Sequence, residues 1–248
     1  MNFILEDFML GLISLGLYDM HDMSFKAIKL ARKCDVLYLE SYTNFLAYTV
    51  EDLERFLGKK IVILERVGIE NESSKLVNEA KEKNVGILVG GDCLSATTHI
   101  SLLLECEKNG VNTQIIHGSS IFSSIAETGL FIYNFGKVGS IPFDFRNLKS
   151  PIEVLEGNQK LGLHSLFLFD LNPKEMRFLD SKPVLKYFVD QGFGDLDCVV
   201  CGAIGGKAKF KFGKINDLVN YSVMVYPQCL VVLGKLHFIE EEALERFK

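Results

Sequence analysis

Residues 85–92 read Val-Gly-Ile-Leu-Val-Gly-Gly-Asp, and this stretch decides the fold class. A short, continuous apolar run is typical of a strand buried on both faces of a sheet. The glycine pair and Asp92 end that strand, and a helix is predicted over about 95–108. Working outward, we predict strands over 36–40, 60–64 and 113–117, and helices over 25–33, 50–57 and 73–83. Strands and helices that alternate in this way predict a mostly parallel sheet with helices on its faces.

Two helix boundaries carry local signals. Ser24 is expected to cap the helix over 25–33, because its hydroxyl can accept a hydrogen bond from a backbone N–H of the first turn. Gly58 is expected to end the helix over 50–57, since glycine tolerates the left-handed conformation that ends many helices.

The second half of the chain has a less regular pattern. Apolar strands are predicted over 163–171, 199–201 and 230–233, with helices over 119–128, 151–157, 183–190 and from Glu240 onward. This order favours a mixed sheet. The composition changes near residues 117–119, so we predict two α/β domains, residues 1–118 and 119–248.

Composition excludes several classes of protein. The chain has 248 residues, of which 48% are hydrophobic and 24% charged, so it is not intrinsically disordered. No apolar run reaches the ~18–20 residues of a membrane-spanning helix. The N-terminus, Met-Asn-Phe-Ile-Leu-Glu-Asp, carries acids where a signal peptide carries positive charge, so we expect a cytoplasmic protein.

The net charge of −5 argues against direct binding of nucleic acid. A local basic run nevertheless contains Lys207, Lys209, Lys211 and Lys214, three of which share one side of an extended strand. Lysines on a solvated edge strand discourage unwanted pairing. Contact with an acidic or RNA-associated partner is the alternative interpretation of this run.

The six cysteines give no sign of a metal site. Only Cys198 and Cys201 form a C-x-x-C pair, whereas a structural zinc site needs four ligands. The two cysteines lie in a run predicted to be a buried strand, where residues three apart point to opposite faces. We interpret both as small core residues.

Local sequence features alone make Asp92 the best candidate for a ligand-binding residue. Ligands of open parallel sheets bind at the carboxyl ends of the strands, where glycines allow a close backbone approach. Asp92 either accepts hydrogen bonds from a ligand or caps the following helix. The loop from Gly202 to Lys207 lacks the spacing of a phosphate-binding loop, and no G-x-S-x-G motif supports a hydrolase.

Several short blocks, in order, resemble one family over nearly the whole chain. The blocks are Leu15-Gly16-Leu17-Tyr18-Asp19, Tyr38-Leu39-Glu40-Ser41-Tyr42-Thr43, Gly91-Asp92 with Ala96-Thr97-Thr98-His99, Ser120-Ile121, Gly129-Leu130 with Tyr133-Asn134-Phe135-Gly136-Lys137, Gly162-Leu163-His164-Ser165-Leu166, and Gly234-Lys235-Leu236-His237. They are similar to the diphthine synthases, which belong to the tetrapyrrole methylase superfamily.

The resemblance implies the two-domain tetrapyrrole-methylase-like fold, with a cleft between the domains that holds the cofactor. It also implies a methyltransferase that uses S-adenosyl-L-methionine, with S-adenosyl-L-homocysteine as product. The implied substrate is a histidine of elongation factor 2 that carries a 3-amino-3-carboxypropyl group, methylated repeatedly on its amine. A homodimer is also implied. Carried over by motif, the cofactor contacts fall at Leu17, Asp92, Ser95, Ser120, Ile121, Phe169, Ile204 and His237. No catalytic residue is nominated.

The chain departs from the family pattern at three positions. Ser14 replaces a glycine, and Cys93 and Leu233 replace prolines. These departures keep open a catalytically weak family member that only binds the elongation factor. A methyltransferase for another substrate of the superfamily, such as a tetrapyrrole, is the second alternative, although the Thr-Thr-His and Tyr-Asn-Phe-Gly-Lys blocks speak against it.

Overall fold

The computed structural model describes residues 8–70 and 73–248, which form two compact units. The first unit ends at Ile121 and the second begins at Phe122. The predicted domain boundary between residues 118 and 119 stays a prediction. The acidic N-terminal stretch that argued against a signal peptide lies outside the described residues.

The first unit contains a five-stranded sheet in which every pairing is parallel. Its strands are β1 (Met9–Ser14), β2 (Val36–Glu40), β3 (Ile61–Leu64), β4 (Val85–Val89) and β5 (Asn112–Ile116). Their order across the sheet is β3-β2-β4-β1-β5. The predicted parallel sheet is confirmed, and the apolar run at 85–89 is a central, fully buried strand.

The described residues of this unit form five α-helices, whose buried faces cover the two sides of the sheet with two separate apolar cores. They are α1 (Phe25–Lys33), α2 (Val50–Leu57), α3 (Arg66–Glu70), α4 (Ser73–Glu79) and α5 (Ile100–Lys108). The Ser24 side chain caps α1 by accepting a hydrogen bond from Ala27 N–H, and Gly58 ends α2 with φ 71°. Both predicted boundaries are confirmed.

The predicted start of α5 at about residue 95 is wrong. Thr97 Oγ1 and His99 Nδ1 both bind the carbonyl oxygen of Cys93, each at 3.0 Å, and Ala96 has φ 57°. Short polar side chains that bind nearby backbone in this way compete with helix formation. Residues 92–99 therefore form a loop, and α5 begins only at Ile100. The helix predicted over 73–83 ends early, and α3 was not predicted.

The second unit contains the expected mixed sheet and a small two-stranded sheet. Its strands are β6 (Gly139–Ile141), β7 (Ser165–Phe169), β8 (Leu171–Asn172), β9 (Arg177–Phe178), β10 (Asp197–Gly202), β11 (Lys209–Lys214) and β12 (Gln228–Val232). The main sheet has the order β11-β10-β12-β7-β6, with β6 and β7 parallel and the other pairs antiparallel. The remaining helices are α6 (Ile121–Ser124), α7 (Ser150–Lys160), α8 (Ser181–Asp190), α9 (Ile215–Leu218) and α10 (Phe238–Leu244).

Two sequence predictions about the second unit are confirmed. Cys198 and Cys201 are fully buried on β10 as free thiols, and they are core residues of the sheet. Lys209, Lys211 and Lys214 lie on β11, which is the outermost strand of its sheet. None of the described helices combines the length and apolar composition needed to cross a membrane.

Candidate functional site in the loops after β1 and β4

Two glycines join the carboxyl ends of the central strands β1 and β4. Gly16 N–H donates to Gly91 O at 3.2 Å, and Gly91 N–H donates to Gly16 O at 2.6 Å. Both residues have positive φ, 83° and 74°, which favours glycine. A Cβ atom on Gly16 would lie 2.2 Å from Cβ of Asp22, so this position has no room for a side chain. The bridge brings the chain leaving β1, at half-buried Leu17, next to the loop that starts at Asp92.

The carboxylate of Asp92 is buried and accepts four hydrogen bonds. Its Oδ1 binds Leu94 N–H at 3.0 Å and Ser95 Oγ at 3.1 Å. Its Oδ2 binds His117 Nδ1 at 2.8 Å and Gly118 N–H at 3.1 Å. The side chain therefore folds its own loop and ties it to the segment after β5.

The hydrogen bonds decide the charge state of Asp92. Burial acts to raise the pKa of this carboxyl group. The donors at Leu94, His117, Gly118 and Ser95 outweigh burial and lower the pKa below its ordinary value of 3.8. A buried carboxylate is thus held as an anion, and all four of its donors come from the protein.

Ser14 and Cys93, two of the departures from the family pattern, contact each other. Cys93 N–H donates to Ser14 Oγ at 2.9 Å, and both residues are buried. A proline at position 93 would carry no N–H, whereas a cysteine presents a buried donor that needs an acceptor. Ser14 supplies that acceptor from the last position of β1 and anchors the Asp92 loop.

The block that follows β2 reaches the same edge of the sheet. Buried Glu40 accepts hydrogen bonds from Tyr42 N–H at 2.6 Å and Thr43 N–H at 2.8 Å. The turn that results places Asn44 against the glycine pair, since a Cβ atom on Gly90 would lie 2.9 Å from Cβ of Asn44. Loops from β1, β2, β4 and β5 therefore converge at the carboxyl edge, where ligands of parallel sheets bind.

Among the described residues, three buried side-chain polar atoms have no hydrogen-bond partner. They are Ser41 Oγ, Tyr48 Oη and His99 Nε2. All three belong to the connections that follow β2 and β4. Buried polar groups are normally paired, so this edge of the sheet has unused capacity to bind a polar ligand.

The predicted cofactor residues divide between the two units. Leu17, Asp92, Ser95, Ser120 and Ile121 belong to the first unit, and Phe169, Ile204 and His237 to the second. A hydrogen bond joins Asp92 to Ser95, and the glycine bridge brings Leu17 to the same loop. Ser120 is buried, and Ile121 is the first residue of α6.

In the second unit, Phe169 is the last residue of β7 and is almost fully buried. Ile204 lies in the loop after β10, beside Ala203, which has φ 50°. His237 is exposed and caps α10 by accepting a hydrogen bond from Ile239 N–H at 3.3 Å. The cofactor role of all eight residues stays a prediction.

Sequence reasoning missed Glu240, the centre of a buried network in the second unit. Its Oε1 accepts from Phe131 N–H at 2.7 Å, Asn134 Nδ2 at 3.2 Å and His164 Nε2 at 3.3 Å, and its Oε2 accepts from His237 N–H at 2.8 Å. These donors lie within three of the sequence stretches that carry the family resemblance, residues 129–137, 162–166 and 234–237. Glu240 holds those blocks together.

His117 is a second functional residue that was not predicted from the sequence, although one signal was available. His117 directly follows β5, at the strand end where ligands of parallel sheets bind. Within the described part of the chain, no group of three or more His, Cys, Asp or Glu side chains is arranged to hold a metal ion.

Comparisons with known proteins agree with this geometry. The profile of the Tetrapyrrole (Corrin/Porphyrin) Methylases matches residues 9–160. A diphthine synthase of Methanocaldococcus jannaschii is 40% identical over 96% of this chain and 98% of its own length. One of Archaeoglobus fulgidus is 36% identical over 96% of this chain and 95% of its own length. A crystal structure of diphthine synthase superposes with a TM-score of 0.91 at 34% identity, covering 96% of this chain and 95% of the other.

The fold and the sequence matches define a methyltransferase of the tetrapyrrole methylase class. Within that class, the chain belongs to the diphthine synthase family. The predicted two-domain fold class is confirmed by the same superposition.

Proposed function

We propose that this protein methylates the aminocarboxypropyl-histidine intermediate of elongation factor 2 during diphthamide biosynthesis, with S-adenosyl-L-methionine as methyl donor. The observation that carries the proposal is the 40% identity to a diphthine synthase over 96% of the chain. Because the match is nearly complete in both proteins, it includes the loops after β1, β4, β7 and β10 and not just the scaffold.

The residues at the carboxyl edge of the first sheet fit a polar cofactor. A Cβ atom on Gly91 would meet just one atom within 4 Å, Asn44 Nδ2 at 3.5 Å, so the backbone beside Asp92 is open to a ligand. The unpaired buried atoms of Ser41, Tyr48 and His99 add polar groups at this edge. We assign cofactor contacts to Leu17, Asp92, Ser95, Ser120, Ile121, Phe169, Ile204 and His237.

The bound cofactor supplies a methyl group on a positively charged sulfur. The protein's own contribution is to hold and orient, which can supply up to ~7–11 kcal/mol of the barrier in favourable cases. Asp92 has all four of its hydrogen bonds inside the protein, so its carboxylate fixes the loop shape and places the backbone of the loop. Besides its cofactor contact, Asp92 therefore holds the loop in position, and we assign no proton transfer to its oxygens.

The direct test is mass spectrometry of elongation factor 2 that carries the aminocarboxypropyl-histidine intermediate, after incubation with this protein and S-adenosyl-L-methionine. We expect mass increases in steps of one methyl group. Factor with an unmodified histidine is the matched control and must not change, because it lacks the primary amine. No mass change despite intact cofactor binding would contradict the proposal and favour a catalytically weak family member.

A homodimer in the cytoplasm completes the proposal. Its structural support is an apolar edge in the first unit, where Val62 and Ile63 on β3 and Val67 on α3 are 50%, 43% and 55% exposed. Exposed apolar clusters of this kind mark protein–protein contacts. Light scattering at micromolar concentration should give twice the chain mass, and Val62→Glu with Val67→Glu should give the monomer mass. A monomeric wild-type protein would contradict the dimer.

A further inference from the structure

A basic groove of about 700 Å³ runs between α1 and the edge strand β5 in the first unit. Three lysines of α1 line one side: Lys26, Lys29 and Lys33. Gln114 and His117 line the other side from β5 and its end. The three lysines are spaced by three and four residues, so they share one face of the helix.

Within the described residues, the positive charge of this groove has no partner of opposite charge. All three lysines are exposed, and none forms an ion pair with any residue in 8–70 or 73–248. Helix α1 carries no acidic residue that would offset them. In a chain with a net charge of −5, a cluster of three lysines without an ion pair to any described residue is a local reversal of sign.

The opposite wall of the groove is a strand edge. Within the described residues β5 pairs with β1 alone, and Asn112, Thr113 and Gln114 are exposed. Such an edge presents unpaired backbone N–H and C=O groups that can accept one more strand. The spacing also fits, since Lys29 and Lys33 lie about 6 Å apart along the helix axis, close to the ~6.6 Å between alternate side chains of a strand.

Charge decides which strand can occupy the groove. If a second copy of this chain paired edge to edge at β5, its three lysines would add to the positive charge at this edge. Like charges repel, so this pairing is disfavoured. An extended segment with acidic side chains at alternate positions can form ion pairs with the lysines and backbone hydrogen bonds with β5 at the same time.

The groove also ends at the candidate site. His117 lines it and donates to Asp92 through Nδ1 at 2.8 Å. A strand bound along β5 would therefore bring its partner to the carboxyl edge of the sheet. We propose that the groove between α1 and β5 docks an acidic, extended segment of the protein substrate, an inference that rests on the proposed function.

The test compares two charge-reversal variants that change the net charge equally. One replaces Lys26, Lys29 and Lys33 by Glu, and the control replaces Lys207, Lys209 and Lys211 by Glu in the basic run at β11. We expect the α1 variant to raise KM for the factor about tenfold or more, with kcat and cofactor affinity unchanged. The control should change KM less than about twofold, on the scale of exposed charge pairs. A larger effect in the control, or no effect in either, would overturn the proposal.

A fluorescent oligoglutamate peptide separates failure of the groove from failure of the proposed function. Wild-type protein should bind the peptide more weakly as salt increases, and the α1 variant should lose that binding. Peptide binding without methylation of the factor would leave the groove standing and reject the proposed function. Methylation with no peptide binding, or with equal binding by the α1 variant, would reject the groove.

Discussion

Two carboxylates, one in each unit, accept hydrogen bonds in the same arrangement but have different roles in the structure. Asp92 accepts four hydrogen bonds, one of them from His117. Glu240 also accepts four, one of them from His164. In both cases burial acts to raise the pKa of the acid, and the hydrogen bonds outweigh it and lower the pKa.

The histidines show where the two arrangements differ. The side chain of His117 is 69% exposed, whereas His164 and Glu240 are both 0% exposed. The second ring nitrogen of His164 accepts Gly234 N–H at 3.0 Å, which fixes the ring in its neutral form with the proton on Nε2. The network of Glu240 is closed and holds the fold, whereas the network of Asp92 is open on the His117 side and holds a loop at the candidate site.

The largest effect should come from Glu240→Ala. The substitution leaves four donors without the fully buried carboxylate that accepts from them, and should lower the free energy of unfolding by about 3–5 kcal/mol. Urea unfolding measures the loss. Glu241→Ala is the matched control, because Glu241 is the exposed neighbour on the same helix and should change stability by less than about 0.5 kcal/mol. Equal losses in both variants would remove Glu240 from the centre of the network.

Asp92→Ala should affect ligand binding more than folding. Without the carboxylate, Leu94, Ser95, His117 and Gly118 lose a common acceptor and the loop loses its shape. We expect weaker binding of S-adenosyl-L-methionine by about 1–3 kcal/mol, measured by calorimetry. Asp35→Ala is the control, since Asp35 accepts Asn84 N–H just before β2, at the opposite end of the strands. Unchanged affinity in Asp92→Ala would remove this residue from the site.

The sequence could predict what depends on neighbouring residues. The Ser24 cap and the Gly58 end fix α1 and α2 because both signals lie within one turn of the helix they define. The buried strand and glycine pair before Asp92 point to the site for a similar reason, since a strand end is visible in a short window. These features need no knowledge of distant parts of the chain.

The rest depends on contacts that no short window contains. Glu240 looks like one acid among several in a terminal helix, and its importance comes from donors up to 109 residues away. His117 joins Asp92 across 25 residues. The loop over 92–99 has the composition of a helix start, but side-chain bonds to the Cys93 carbonyl and the anchor at Ser14 decide its conformation.

The closed network should respond to pH in a defined direction. Burial lowers the pKa of His164 below its ordinary value of 6.5, although Glu240 acts to raise it. The unfolded chain therefore binds the proton more readily, and the stability contribution of a neutral His164 is complete above pH 6.5 and lost as the pH falls below it. The slope from one group cannot exceed about 1.4 kcal/mol per pH unit.

Unfolding of wild type and His164→Gln at pH 7.5 and pH 5.5 measures this contribution. The wild type should lose stability between the two values, and the variant should lose less. His21→Gln is the control, because it makes the same substitution at an exposed position outside the network of Glu240. A variant with the same slope as wild type would show that His164 titrates equally in both states.

The smallest effect tests whether Ser14 and Cys93 act as a pair. Ser14→Ala removes the acceptor of the buried Cys93 N–H and should cost about 1 kcal/mol, together with a small loss of cofactor affinity, because that bond anchors the Asp92 loop. Ser14→Gly with Cys93→Pro installs the residues of the family pattern and removes acceptor and donor at once. Replacing both partners of a buried hydrogen bond is nearly neutral, so the double variant should be more stable than the sum of the single losses by about 1 kcal/mol. Urea unfolding of wild type, Ser14→Gly, Cys93→Pro and the double variant completes the cycle, and strictly additive losses would show that the two positions vary independently.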